Sequence, residues 1–138
     1  MIIIDATDTI LGRLASYAAK KALLGEEVFV INSEKAIISG RKAFVIDKYL
    51  NDMSRGTYKG PFIPKVPNML VRRTIRGMLP HHKYKGKNAY HKVKCFVGVP
   101  ELLKDKKAEK IKGANISKLP YLYYINVGEL CKRMGAKR

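Results

Sequence analysis

"MIIIDATDTILGRLASYAAKKALLGEEVFVI", Met1 to Ile31, changes its hydrophobic rhythm twice. Met1 to Ile4 is a short apolar run ending at Asp5, which suits a buried strand. Thr7, Asp8 or Thr9 is then placed to cap a helix by accepting from its free N–H groups. Leu11, Leu14, Ala15, Ala18 and Ala22 fall on one helical face, with Arg13, Lys20 and Lys21 opposite or flanking, until Gly25 supplies a stop. Val28 to Ile31 is apolar again, rich in β-branched residues and too short for a helix, so a second buried strand is expected.

Working outward, Ser39 and Gly40 punctuate the chain, and Val45, Ile46, Tyr49, Leu50 and Met53 repeat at helical spacing. Strand, helix, strand, helix implies parallel pairing with right-handed crossovers. Lys94 to Val99, "KCFVGV", is a third strand candidate closed by Pro100. Before it, "SRGTYKGPFIPKVPNM" holds two Gly and three Pro in sixteen residues, which predicts a long irregular loop of the kind that carries function. Leu70 to Leu79 reads as a short helix stopped by Pro80. After Pro100, "ELLKDKKAEKIKG" reads as a charged surface helix, the Leu119 to Val127 run as a return to the core, and the end as a helical turn with a basic tail. Cys95 and Cys131 read as buried small apolar residues, since neither belongs to a Cys-x-x-Cys pair.

Charge is distributed unevenly. The chain of 138 residues has a net charge of +17. Residues 1–53 carry seven basic and seven acidic side chains, residues 54–100 carry eleven basic and none acidic, and residues 101–138 carry ten and four. Such an excess repels itself unless a polyanion covers it, and nucleic acid or an anionic membrane are the candidates. No stretch approaches the roughly 20 apolar residues of a spanning helix, and the start lacks the pattern of a signal peptide, so a cytoplasmic location is expected. The polyanion is expected to meet mainly the middle third.

Arg72, Arg73 and Arg76 lie within one or two helical turns of each other, facing away from Val71, Ile75, Met78 and Leu79. Guanidinium forks match phosphate oxygens with paired hydrogen bonds, which points to a nucleic-acid backbone. Lys83, Lys85 and Lys87 follow, interleaved with Tyr84 and Gly86 and continued by Tyr90, His91 and Lys92, a mixture suited to phosphate attraction and base stacking. Arg55, Lys59 and Lys65 of the Pro-rich loop extend the basic surface, and Arg41 and Lys42 stand where a helix start can meet an RNA phosphate. "ISGRKAF" lacks the glycine patterns of nucleotide-binding loops. His81, His82 and His91 have no carboxylate or thiol at metal-ligand spacing, so no metal and no cofactor are expected. The acid-free middle third offers no paired acids and no activated nucleophile for catalysis.

"IDATDTILGRLASYAAKKALLGEEVFVINSEKAIISG" and "RTIRGMLPHHKYKGKNAYHKVKCFVGVPE" together resemble the universal large-subunit ribosomal protein thirteen family, over most of residues 2–101. The "GVPE" ending and the "GPFIPKVPNMLVRRTIRGMLP" approach are similar to its archaeal and eukaryotic branch. The resemblance implies an α/β class, with three α/β/α layers around a roughly four-stranded parallel sheet, on the solvent side of the large subunit. It implies rRNA binding in early assembly and no catalysis. The family's Arg-Gly-Met-Leu-Pro segment corresponds to Arg76, Gly77, Met78, Leu79 and Pro80. Asp8 departs from the family, which commonly has Gly after Asp-Ala-Thr, and this bears on the turn there.

The expectation is a single domain over residues 1–138: a neutral α/β unit at 1–53, an RNA-contacting segment with the third strand at 54–100, and a basic extension at 101–138. Its partners would be large-subunit rRNA and neighbouring large-subunit ribosomal proteins, with no membrane and no small-molecule substrate. The competing reading is a small α/β enzyme acting on a nucleotide or nucleic acid, using Asp5, Asp8 and the Ser39 turn at the strand ends.

Overall fold

The computed structural model describes residues 1–136. Five helices and five strands follow in the order β1 (Ile2–Asp5), α1 (Leu11–Leu23), β2 (Val28–Ile31), β3 (Ile37–Ser39), α2 (Lys42–Ser54), α3 (Pro67–Gly77), α4 (Tyr84–His91), β4 (Val93–Cys95), β5 (Tyr124–Asn126) and α5 (Val127–Arg133). β1, β2 and β4 form a parallel sheet with β2 central, Ile4 opposite Val30 and Val30 opposite Cys95. β3 and β5 form a separate antiparallel pair, Ile38 opposite Ile125.

Alternation along the strands sorts side chains to two faces. Ile4, Val28, Val30, Val93 and Cys95 point into the main core, where Leu14, Ala15, Ala18 and Ala22 of α1, Leu70, Val71 and Ile75 of α3 and Ala89 of α4 meet them. The apolar stripe of α1 is the one its sequence period predicts. The other face carries Ile3, Phe29, Ile31 and Phe96, and Leu103 of a short 3-10 turn is the buried residue laid over it. The Phe29 and Phe96 rings stack there with centroids 6.2 Å apart. Ile125, Val127, Leu130, Cys131 and Met134 of the C-terminal part join the main core.

The α/β class and the parallel pairing are as expected, while the sheet and its layers are smaller. Three strands are parallel, and the fourth place, beside β1, holds a single parallel bridge at Glu109. The Glu109 carbonyl accepts from the Asp5 N–H at 3.1 Å and its N–H donates to Ile3 at 2.8 Å. Lys106, Lys107, Lys110 and Lys112 around it do not suit a buried strand, so the pairing stops after one residue. The same stretch is not the charged helix expected after Pro100: one 3-10 turn, Glu101–Leu103, gives way to turns, because no apolar stripe repeats there to bury a helical face. The third strand is Val93–Cys95 rather than Lys94–Val99, and Gly98 at φ +67° ends its extended run.

Local chemistry at the first turn also differs. Ile10 is the helix cap of α1, without a side-chain bond to the helix. The buried Thr9 hydroxyl turns back to the carbonyls of Thr7 and Asp5, at 3.1 and 3.4 Å, and Thr7 donates to Asp5 instead of to the helix. Asp8 takes a left-handed φ of +53°, the region glycine enters freely. The aspartate thus holds a backbone conformation that glycine takes more easily. Gly25, at φ +98°, terminates α1 with its N–H on the Ala22 carbonyl at 3.1 Å, as expected. The basic tail includes residues 137 and 138, which lie outside the described residues.

Candidate nucleic-acid interface

Pro67 opens α3 at its first turn, where its missing N–H costs nothing, three residues before the start the sequence suggests. Leu70, Val71 and Ile75 seat the helix on the sheet. The chain then turns through Met78, Leu79 and Pro80, with Leu79 buried and Met78 exposed. Met78 therefore leaves the core side expected for it, and its Sδ accepts from the Ser16 hydroxyl of α1 at 3.2 Å.

The lysine-rich stretch after that turn is α4. Gly86 fixes its place: a Cβ at this position would overlap the Pro80 carbonyl, so only glycine lets the helix lie against the turn. Lys83 sits at the N-cap of α4 and Ala89 is buried beneath it. Lys83, Lys85 and Lys87 are exposed. Lys85 and Met78 line one hollow of about 600 Å³ with Lys20 of α1. The neutral third thus contributes a cation that segment counting does not reveal.

The three arginines of α3 have different surroundings. Arg72 is half-buried, its guanidinium stacked 4.5 Å from the centre of the Tyr90 ring, and its Nε has no hydrogen-bond partner among the described residues. Arg73 donates to the Phe62 carbonyl at 2.8 Å and so ties the Pro-rich loop to α3. Arg76 is exposed. His81 packs edge-on to Tyr90, centroids 5.7 Å apart, and its imidazole is held below its ordinary pKa, first by partial loss of water and then by Arg76, His82, Lys87 and His91. Arg76, Lys83, Lys85 and Lys87 therefore flank one turn, and the crowding there is the kind an anion relieves.

The remaining candidates are spread more widely. Lys59 lies over the exposed Tyr58 ring at 5.7 Å, and Lys65 is exposed on the same loop. Arg55 is 4.0 Å from Asp52, and with Arg73 and Lys48 it lines a hollow of about 460 Å³ between α2, the loop and α3. Lys92 donates to the Gly25 carbonyl at 3.0 Å, closing the end of α1. Arg41 and Lys42 stand apart, at the start of α2 near β5, where Lys42 pairs with Glu129 at 3.2 Å.

The groups an enzyme would use are otherwise engaged. One Asp5 oxygen accepts from the Thr7 N–H, the Thr7 hydroxyl and Asn32, at 3.0, 2.7 and 3.0 Å. Burial pushes this carboxyl up, but the bonds from Asn32 and Thr7, helped by Lys110, outweigh it and hold the group below its ordinary value. Burial pushes the Cys95 thiol up to about 12, against the opposing charge of Arg72, and Cys131 to about 11, so both stay protonated and inert. Among the described residues no three His, Cys, Asp or Glu side chains gather as a metal set, and no helix is long and apolar enough to cross a membrane.

Fold and surface together define a small α/β protein with one cation-rich side built on a glycine-locked turn. The family profile described as Ribosomal protein L13 matches residues 1–102. The chain is 44% identical to the large ribosomal subunit protein uL13 of Methanosarcina barkeri, with 99% of each chain covered. It is 40% identical to that of Methanopyrus kandleri, over 96% of this chain and 86% of the relative. With that of Haloarcula marismortui it shares 39% identity, over 99% of this chain and 92% of the relative. The chain belongs to the ribosomal protein L13 family. It is a structural ribosomal protein and not an enzyme, which removes the reading built on Asp5, Asp8 and Ser39.

Proposed function

We propose that the chain is a structural constituent of the large ribosomal subunit in the cytoplasm, gripping large-subunit rRNA beside neighbouring ribosomal proteins and supporting early assembly and translation. The relatives carry the large subunit in their names, and this reading extends that place to the present chain. The carrying observation is the turn between α3 and α4, where exposed Arg76, Lys83, Lys85 and Lys87 flank a backbone fixed by Gly86, within a segment that contains no acid.

The candidates divide by their surroundings. Arg76, Lys83, Lys85 and Lys87 meet phosphates directly, joined by Lys59 and Lys65 from the loop. Arg72 and Arg73 shape the surface as well, one by stacking on Tyr90 and the other by holding the loop at Phe62. Arg55 and Lys92 lie at its margins, while Arg41 and Lys42, apart from it at the start of α2, offer a separate contact to the RNA. Residues 1–53 and the C-terminal extension then act with residues 54–100 as one ribosomal-protein domain.

Each neutralised phosphate releases counterions, so affinity for large-subunit rRNA falls linearly with salt on logarithmic axes. Replacing Arg76, Lys83, Lys85 and Lys87 with Ala is expected to reduce that slope and to loosen the chain from large subunits during sedimentation, with the melting temperature preserved. A chain that migrates free of large subunits, or binds rRNA equally at low and moderate salt, would contradict the reading.

A further inference from the structure

The C-terminal segment carries an aromatic feature that the main interface leaves unused. Tyr121 and Tyr123 are 73% and 60% exposed, and the backbone at Tyr123 is fixed by its neighbours. The Gly40 N–H donates to the Tyr123 carbonyl at 2.8 Å, and the following residues, Tyr124 to Asn126, pair with β3. The two tyrosines, two residues apart, lie with their rings side by side. Their ring centroids are 6.5 Å apart with planes inclined by 29°. Two aromatic faces this close can both contact one planar base.

With Ser39, Leu119, Pro120 and the exposed Arg41, the two tyrosines line a hollow of about 300 Å³. No acidic side chain lines it. We propose that Tyr121 and Tyr123 form a clamp for one unpaired nucleobase of an RNA strand, with Arg41 on the adjoining phosphate. An RNA strand is the occupant this chemistry fits: flat rings stack on a base without regard to its identity, and a cation at the rim meets its backbone. The Tyr123 backbone, held beside the β3–β5 pair, has less freedom to lose on binding. The clamp lies beyond residue 102, outside the part matched by the family profile, and it rests on the reading that the chain binds rRNA.

The test begins with intact large subunits containing the full chain, irradiated with short-wave ultraviolet light and digested with trypsin. A nucleotide adduct is expected on the peptide of residues 119–132, at Tyr121 or Tyr123. Adducts within residues 54–100 and none at these tyrosines would overturn the clamp and leave the rRNA reading standing. No adduct anywhere in the chain would count against both. A second measurement uses the purified chain and single-stranded oligoadenylate. Tyr121→Ala with Tyr123→Ala should lower affinity roughly tenfold or more at unchanged salt slope, while the pair of Phe substitutions retains it. Oligoadenylate binding left intact by the Ala pair would overturn the clamp, and impaired entry into subunits alongside it would reassign the tyrosines to a protein neighbour.

Discussion

Residues 1–53 and residues 54–100 are similar in length and opposite in electrostatic design. The first balances seven cations against seven anions and supplies β1, β2 and α1, whose buried side chains form much of the core. The second has eleven cations and no anion, and two of its arginines are occupied by the protein itself. Stability and binding should therefore separate. Damage to the first region should lower the melting temperature with the salt dependence of RNA binding intact, and neutralising exposed cations of the second should do the reverse.

The sharpest break of that contrast comes from the core. Leu14 is fully buried, so Leu14→Ala should cost about 2–5 kcal/mol in chemical denaturation, while the remaining folded protein keeps its salt slope. Gly86→Ala should fail on both counts. Its Cβ would press on the Pro80 carbonyl and force α4 from the turn, costing about 1–3 kcal/mol and weakening RNA affinity, as calorimetry and a binding titration would show. Arg72→Ala should cost about 1 kcal/mol through lost stacking on Tyr90, an effect absent from Arg76→Ala.

Smaller effects sharpen the contrast. Lys85→Ala should leave stability within about 0.5 kcal/mol and reduce the salt slope by roughly one unit, as expected for one phosphate contact. Asp5 gives a pH signature confined to the scaffold. Its carboxyl is held below the unfolded value of 3.8, so its stabilising contribution is present above that pH and is lost as pH falls through the folded value. Asp5→Asn should lower the melting temperature near neutral pH, and the difference from the native protein should narrow as pH is taken below 3.8.

What the sequence made legible follows from how local each cause is. The α1 stripe, β2 and the Gly25 stop depend on periodicity and one glycine, and all three are read directly. The sequence reading assigns no element to α4, because its interleaved lysines and tyrosines repeat no apolar stripe. The signal lay in Gly86, whose role needs the position of Pro80, six residues earlier in the chain. The cap expected at Thr7, Asp8 or Thr9 is not formed: Ile10 is the cap, Thr7 bonds Asp5, and the Thr9 hydroxyl goes to carbonyls that become available only when the turn closes. Arg72, Arg73 and Arg76 read alike in sequence, and only the positions of Tyr90 and Phe62 tell them apart. Part of the Leu119 to Val127 run stays outside: Ile125 and Val127 are buried, whereas Tyr121, Leu122 and Tyr123 face outward.

Lysine acetylation of intact large subunits, compared before and after nuclease digestion and read by mass spectrometry, tests the central claim most directly. Lys83, Lys85 and Lys87 should be protected in the intact particle and become reactive once the RNA is digested. Equal reactivity of all three in both states would show that the acid-free segment is not covered by RNA, and would contradict the account.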